Sequence, residues 1–157
     1  MGKITDYQRV VVACAFLWAE FDGVKKVFMP RRAKTKAAFP GLFELPGGHI
    51  EVGEDVVAGL KREIREELEM EIEVGEPFAV FTYSSGKFGP SIEVVYFAKF
   101  VGDIQNIKLH PEDHSEYLWV AEDELSRIYA ENKQASDNEM MVVENGFKKL
   151  RPGQLKN

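Results

Sequence analysis

A single cysteine, Cys14, stands in the 157 residues. That excludes an intramolecular disulfide and any metal site built on clustered thiolates. Cys14 lies inside the apolar stretch "VVVACAFLW" and reads as a small buried hydrophobe. Basic charge is not in excess either: 20 Lys and Arg face 26 Asp and Glu, a net charge of -6. Nucleic-acid polymers and anionic membranes need a basic surface, so neither is an expected partner. A small nucleotide needs only a local basic patch and stays open. The longest apolar run, Val10 to Ala19, is too short to span a membrane. The opening "MGKITDYQRV" has no apolar segment of the kind a secretory signal carries, so a cytoplasmic location is the expectation. Repeats, low-complexity segments and linkers are missing too. The expectation is one domain over 1–157, large enough to bury a core.

What is present is an ordinary globular composition, 45% hydrophobic and 29% charged. Val10 to Trp18 reads as a buried strand, Asp22-Gly23 as a hairpin turn, and Val27 to Pro30 as the return strand. "RRAKTKAAFPG" is a basic loop closed by a Pro-Gly break. "LFEL" reads as a short strand ended by "PGG". A helix is predicted from about Gly53 to Leu68, with Glu54 and Asp55 in its first turn, where acidic groups favour the dipole. Ile72 to Tyr83 and Ile92 to Val101 read as paired strands around a turn near "SSGKFGP". "EYLWV" follows as a strand, then "AEDELSRIYAEN" and "DNEMMVVENGFKKL" as helices, the last with Gly146 as a weak point. Strands on both sides of one central helix make a mixed α/β or α+β domain.

The central helix carries the chemistry. At about 100° per residue, Val57, Leu60, Ile64 and Leu68 form one stripe for the core. Lys61, Arg62, Arg65 and Glu69 spread over the side expected to face solvent. A third face holds Val56, Gly59, Glu63, Glu66, Glu67 and Met70. A glycine within a helix costs roughly 1 kcal/mol against alanine. At Gly59 either a ligand or a packed neighbour must come close to the backbone. Arg62 can pair with Glu66, and Arg65 with Glu69, at i, i+4. Glu63 and Glu67 repel each other at the same spacing, by a few tenths of a kcal/mol. A solvated acidic face tolerates that repulsion, whereas a divalent cation would relieve it. Ligands that are all oxygen select hard ions, Mg²⁺ or Mn²⁺ over zinc, and such ions commonly also take substrate phosphates. With a basic loop nearby, the pattern suggests phosphate-ester or phosphoanhydride chemistry.

The full spacing is more specific. Gly48 is followed by five residues and Glu54, then by seven more and "REIREELEM", Arg62 to Met70. This resembles the Nudix box, G-x5-E-x7-R-E-U-x-E-E-x-G-U with U a bulky aliphatic. Six fixed residue types, each used at roughly 5–7%, are seldom reproduced by chance. One position departs: the late glycine is Glu69. "RRAKTKAAFPGLFELPGG" and "EYLWVAEDEL" are similar to flanking segments of MutT-like members, so the likeness runs from about Arg9 to Leu125. The resemblance implies an α/β/α sandwich around a mixed sheet, with the box as a loop–helix–loop. It implies hydrolysis of nucleoside diphosphates linked to another group, using Mg²⁺ or Mn²⁺. Carried across, Glu66 and Glu67 would be the main metal ligands. Glu63 would be a ligand or the base that activates water, and the Gly48 carbonyl a further ligand. Glu54 and Arg62 would support the site as orienting residues, paired with each other or with the ligand glutamates. With Glu69 in place of the C-cap glycine, a slightly different helix end is expected.

A late-loop acid often joins the site in this family, and "HPEDHSEYLWV" offers Glu112, Asp113 and Glu116. Glu112 or Asp113 is favoured, Glu112 being carried as the catalytic candidate, while Glu116 is expected to begin the strand. Arg31 and Arg32 end a strand in the basic cluster and are candidates for phosphate. Lys34 and Lys36 are read as an ordinary solvated loop. His49, next to Gly48, is a candidate for the site, whereas His110 and His114 lack zinc-type spacing. Phe39, Phe43 and Phe81 could stack on a base, although core packing suits each one alone. The window "SSGKFG" carries neither the proline of ADP-ribose hydrolases nor the tyrosine of dinucleoside polyphosphate hydrolases. That favours a nucleoside triphosphate pyrophosphohydrolase releasing monophosphate and pyrophosphate. The alternatives are a hydrolase of nucleotide sugars or other nucleoside-diphosphate derivatives, and a silent nucleotide-binding module. Oligomeric state is not legible.

Overall fold

The computed structural model describes residues 9–84, 90–131 and 138–151. In chain order the strands and helices are β1 (Val10–Phe21), β2 (Val24–Arg32), β3 (Gly47–His49), α1 (Val56–Leu68), β4 (Glu71–Ser84), β5 (Pro90–Val101), β6 (His114–Ala121), α2 (Leu125–Glu131) and α3 (Asn138–Lys149). One mixed sheet runs β4-β5-β1-β2-β6, with β3 paired to β1. β1 and β5 are parallel, and the other pairs are antiparallel. Among the described residues no helix is long and apolar enough to cross a membrane. Residues 85–89 of the turn expected at "SSGKFGP", with most of the "SSGKFG" window, lie outside the described residues, as do Asn132 and Asp137 at the ends of two expected helices.

The apolar run in β1 is continuous because both of its faces are covered. Val12, Cys14 and Phe16 alternate with Ala13, Ala15 and Leu17, and each set joins a different core. The small Ala13 and Ala15 lie on the face covered by α1. That helix buries Leu60, Ile64 and Leu68 completely, worth roughly 1.5–3 kcal/mol for each side chain. On the opposite face Leu125, Ile128, Met140, Val143 and Phe147 cover the sheet from α2 and α3. Phe16 meets Phe97 and Phe147 edge-on at 5.5 and 5.3 Å and ties α3 to the sheet. The layers are helix, sheet, helices, the sandwich that the sequence led us to expect. α3 continues through Gly146 without a break.

β1 and β2 are a hairpin only near their turn. Asp22 and Gly23 take φ of 51° and 81°, the paired left-handed residues of a tight hairpin. Pairing stops after Trp18 and Val27, and beyond that point the strands part. β1 goes on to pair with β5, and β2 with β6. Residues 42–50 fill the opening. The Arg32 and Glu44 amides donate to Leu42 and Pro30 carbonyls at 2.8 and 3.0 Å, on the β2 side. Ala15 and Ile50 amides donate to Pro46 and Val11 carbonyls, both at 2.9 Å, on the β1 side. "LFEL" is therefore not the strand expected. It makes one isolated bridge, Arg31 to Phe43. Pro46 has no N–H to extend a ladder, and the strand forms after it, at Gly47–His49.

α1 starts later than predicted. Asp55 is its N-cap, accepting from the Ala58 amide at 3.0 Å, so neither Glu54 nor Asp55 sits in the first turn. The C-terminal end also differs from expectation. Glu69 itself takes the left-handed conformation, φ 53° and ψ 38°, and its amide donates to the Arg65 carbonyl. The glycine-type helix end is kept without the glycine.

Candidate active site

A cleft of about 600 Å³ opens where residues 42–50 meet α1 and the splayed strands. Glu63, Glu66 and Glu67 reach it from α1, and Gly48, His49 and Arg32 also line it. Gly48 has a steric reason to be glycine: a Cβ there would lie 2.5 Å from the Glu63 carboxylate. Gly59 has one too, and it settles the question left open by the sequence. A Cβ would lie 2.6 Å from Ile50 and 2.7 Å from the Glu54 carboxylate, so the neighbour brought close is the preceding loop and not a ligand.

Arg62 does not face open solvent as the wheel suggested. It turns back and binds Glu54 in a two-pronged contact, Nε to Oε2 at 2.8 Å and Nη2 to Oε1 at 2.9 Å. It also donates to Glu63 at 3.1 Å, Glu66 at 3.2 Å and the His49 carbonyl at 3.0 Å. One guanidinium thus fixes the loop before the helix and two of its acids. Bonding to Arg62 holds the Glu54 carboxyl down to about 2. Arg65 pairs with Glu71 at 2.5 Å in place of Glu69, and Glu69 instead meets Lys108 and His110 at 3.4 and 3.3 Å.

Glu67 is the most constrained of the three acids. Burial pushes its carboxyl well above the usual range, reinforced by Glu44, Glu63 and Asp113. Its Oε2 is buried without a hydrogen-bond partner. Glu63 is raised more mildly, by burial against the opposing pull of Arg62. Met70, on the same wheel face, is buried in the core.

Adjacent residues of a strand point to opposite faces, and the two arginines divide accordingly. Arg32 lines the cleft and bonds Glu44 at 2.9 Å and the Ala38 carbonyl. Arg31 lies outside the cleft lining, with Nε donating to the Gly41 carbonyl at 2.8 Å and Nη1 3.6 Å from Glu116. Among the late-loop acids, Asp113 faces the cleft and bonds Lys36 at 2.8 Å. Glu112, carried as the catalytic candidate, is exposed at the turn and outside the lining. Its neighbour is anchored by a hydrogen bond from the Ala33 amide to the Asp113 carbonyl at 2.9 Å. Glu116 is in β6 and paired with Arg31. Lys36, read as solvated loop, lines the cleft, as do Phe39, Phe43 and Phe81.

Several lining residues were not singled out as site residues, Glu44, Tyr83, Ser91, Glu93 and Glu139, and Cys14, read as a buried hydrophobe, lines the cleft as well. Glu44 joins Arg32 and the buried His114, whose Nε2 is 2.9 Å away. Glu93 carried a signal in the sequence. In β5, Ser91, Glu93, Val95 and Phe97 all point inward, so two polar residues occupy buried positions of a period-2 strand. Glu139 gave none, because one acid near a helix start is commonplace.

Among the described residues seven carboxylates line the cleft, against Arg32 and Lys36 as its side-chain cations. Such a cleft attracts cations, and a polyanion can enter only with one. The residues present fit a hard divalent ion. The donors are oxygens, a buried carboxylate oxygen lacks a partner, and the Gly48 backbone abuts Glu63. Among the described residues no three acidic, His or Cys side chains form a closed ion-binding group. Mg²⁺ commonly keeps waters and shares phosphate oxygens, and so needs no such cage.

Comparison with known proteins gives a consistent picture. Residues 8–141 match the family model described as NUDIX domain. Nucleoside triphosphatase NudI of Enterobacter sp. (strain 638) is 30% identical over 109 residues, 62% of this chain and 74% of that protein. The m7GpppN-mRNA hydrolase NUDT17 of Xenopus laevis is 44% identical over 43 residues, 27% of this chain and 14% of that protein. The solution structure of the E. coli ORF135 protein superposes with a TM-score of 0.70 at 23% identity, covering 97% of this chain and 99% of that one.

Proposed function

The chain belongs to the NUDIX family, and from that premise we propose that it hydrolyses a (deoxy)nucleoside triphosphate to the monophosphate and pyrophosphate with Mg²⁺ or Mn²⁺. As a member it is a hydrolase of phosphorus-containing anhydrides. The choice of a triphosphate is supported by the NudI relative. A cytoplasmic nucleotide pool is the setting proposed for it.

The observation that carries the reading is Glu67, a buried carboxylate whose Oε2 has no partner and which sits among Glu44, Glu63 and Asp113. Glu66, Glu67, Glu63 and the Gly48 carbonyl would hold the ion. When bound, the ion supplies charge neutralisation, a more acidic water and a stabilised leaving oxygen. Arg62 holds Glu63 and Glu66 toward the cleft and fastens the loop through Glu54. Glu63, raised by burial, is suited to take a proton from the attacking water. Arg32 and Lys36 present cationic groups to the phosphates. Both are engaged now, with Glu44 and Asp113, so substrate binding exchanges an internal ion pair for one with phosphate. Asp113 replaces Glu112 as the proposed late-loop acid. Arg31 is not assigned to substrate, whereas His49, on the rim, remains a contact.

A panel of nucleoside triphosphates, nucleotide sugars and other diphosphate derivatives, assayed with each metal and with products identified, tests this. Monophosphate and pyrophosphate from a triphosphate are expected, and Glu67→Gln should lower kcat by more than about 100-fold. Faster turnover of a diphosphate derivative would select the alternative substrate class. Nucleotide binding without any hydrolysis would make the domain a binding module. Full activity in Glu67→Gln would remove the assignment of the site.

A further inference from the structure

His114 is only 2% exposed and lies outside the cleft lining, directly behind it. Its Nε2 is 2.9 Å from Glu44 Oε1. Its Nδ1 is buried without a hydrogen-bond partner. Glu44 also accepts from Arg32, Nη1 to Oε2 at 2.9 Å, so each carboxylate oxygen takes one donor. Nε2 therefore carries the ring proton. The orphaned Nδ1 is left with a lone pair and not with a buried N–H. The fold makes a provision for this contact. β2 and β6 pair Arg31 with Glu116 but Arg32 with His114, so Ser115 is an extra residue in the ladder. In an unbroken register Arg32 would pair with Ser115, which is exposed. Bulges beside a site re-aim side chains in this way. Here the bulge sets His114 across from Arg32, and both meet Glu44 from the wedge.

Resting on the proposed reading, in which Arg32 leaves Glu44 for a phosphate, we infer that His114 is the positioning residue that makes this exchange possible. It holds Glu44 by Oε1 while Arg32 releases Oε2. The need comes from the surroundings of Glu44. Its charge bears on Glu67, Glu93 and Glu139, the carboxyls that burial raises. Without Arg32 and without another donor, the Glu44 carboxylate would stand bare among these acids. A half-buried charge stripped of its partners is costly, so Arg32 would be held back from the substrate. With His114 in place, Glu44 keeps a charge-assisted hydrogen bond throughout. His114 touches neither the phosphates nor the ion. It acts on them through Glu44 and Arg32, and its loss should show in substrate binding before it shows in the chemical step.

The test compares wild type with His114→Gln, His114→Asn and His114→Phe. A glutamine amide can donate from the Nε2 position, an asparagine amide only from the Nδ1 position, and phenylalanine fills the space with no donor. KM and kcat are measured for a nucleoside triphosphate with Mg²⁺, and binding of pyrophosphate with Mg²⁺ is followed by calorimetry. His114→Asn and His114→Phe should raise KM and weaken pyrophosphate binding by about tenfold or more, the weight of one hydrogen bond to a charged group. Their kcat should stay within about threefold of wild type, the sign of lost binding and not of lost chemistry. His114→Gln should restore both readouts to within about threefold. In an Arg32→Ala background the changes at His114 should have no further effect, because the exchange is gone. Proton–nitrogen correlation spectra of wild type should place the ring proton on Nε2. A ring protonated on Nδ1 alone would overturn the inference. Equal behaviour of the glutamine and asparagine variants, or effects that persist in full without Arg32, would also overturn it and leave the hydrolase reading standing. If His114→Phe fails to fold, the glutamine–asparagine contrast and the wild-type spectrum still decide. If no triphosphate is hydrolysed, the triphosphate reading falls, and the pyrophosphate contrast decides this inference separately.

Discussion

Glu93 shows how far one buried carboxyl can report on its surroundings. Its folded-state value of about 7 lies above the ordinary 4.5 of a glutamate. Below the ordinary value both folded and unfolded chains carry the proton. As pH rises from there toward 7, the unfolded chain releases it and the folded chain keeps it. Stability therefore falls with rising pH across that window. Glu139, Glu67 and Glu63 are displaced in the same direction. In urea denaturation at pH 5 and pH 7.5, Glu93→Gln should gain stability relative to wild type on going to the higher pH. Parallel behaviour of the two proteins would refute the assignment. At the acidic end the sign reverses for Glu54, held down to about 2 by Arg62. Its contribution is present above 4.5 and is lost as pH falls toward 2.

α1 carries an element-scale cost that can be removed. Glu69 is a non-glycine residue in the left-handed region at the helix end, a conformation that costs roughly 1–2 kcal/mol outside glycine. Its contacts with Lys108 and His110 are exposed and of little worth. Glu69→Gly should raise stability by about 1 kcal/mol, or roughly 2–4 °C in Tm for a chain of this size. An unchanged or lower Tm would mean that the two ion pairs outweigh the backbone term. Most elements were legible because their signals are local. β1 showed its apolar run, Asp22-Gly23 its turn, and α1 its stripe of Leu60, Ile64 and Leu68. Helical spacing put Glu63, Glu66 and Glu67 on one face, and only the resemblance to the Nudix box proposed roles for them. What failed depended on partners distant in sequence. "LFEL" could not reveal that it changes strands at Pro46. The helical wheel alone could not show that Arg62 folds back on Glu54, a pairing that only the family resemblance implied, and nothing local separates Asp113 from Glu112. Glu44 and Glu139 reach the cleft only through the tertiary fold.

At the scale of the whole molecule, seven acidic side chains among the described residues gather where a ligand must enter. Mg²⁺ or Mn²⁺ should therefore stabilise the protein in the absence of any nucleotide. Ion at about 100 times its Kd contributes about 2.7 kcal/mol, and the effect should shrink at pH 5, where Glu67 must lose its proton before it can bind. A Tm indifferent to millimolar metal at pH 7.5 would argue against a preformed site. The splaying of β1 from β2 has a last consequence. Residues 42–50 are bound to β2 through Leu42 and Glu44 and to β1 through Pro46 and Ile50. Glu44, Leu45, Gly48 and His49 all belong to that one wedge, so both ends of the cleft hang on it. If it lifts as a unit, the amides of Arg32, Glu44, Ala15 and Ile50 become accessible to solvent deuterons together. Their hydrogen exchange should then share a single opening rate, and any ligand bridging the cleft should slow all four in step.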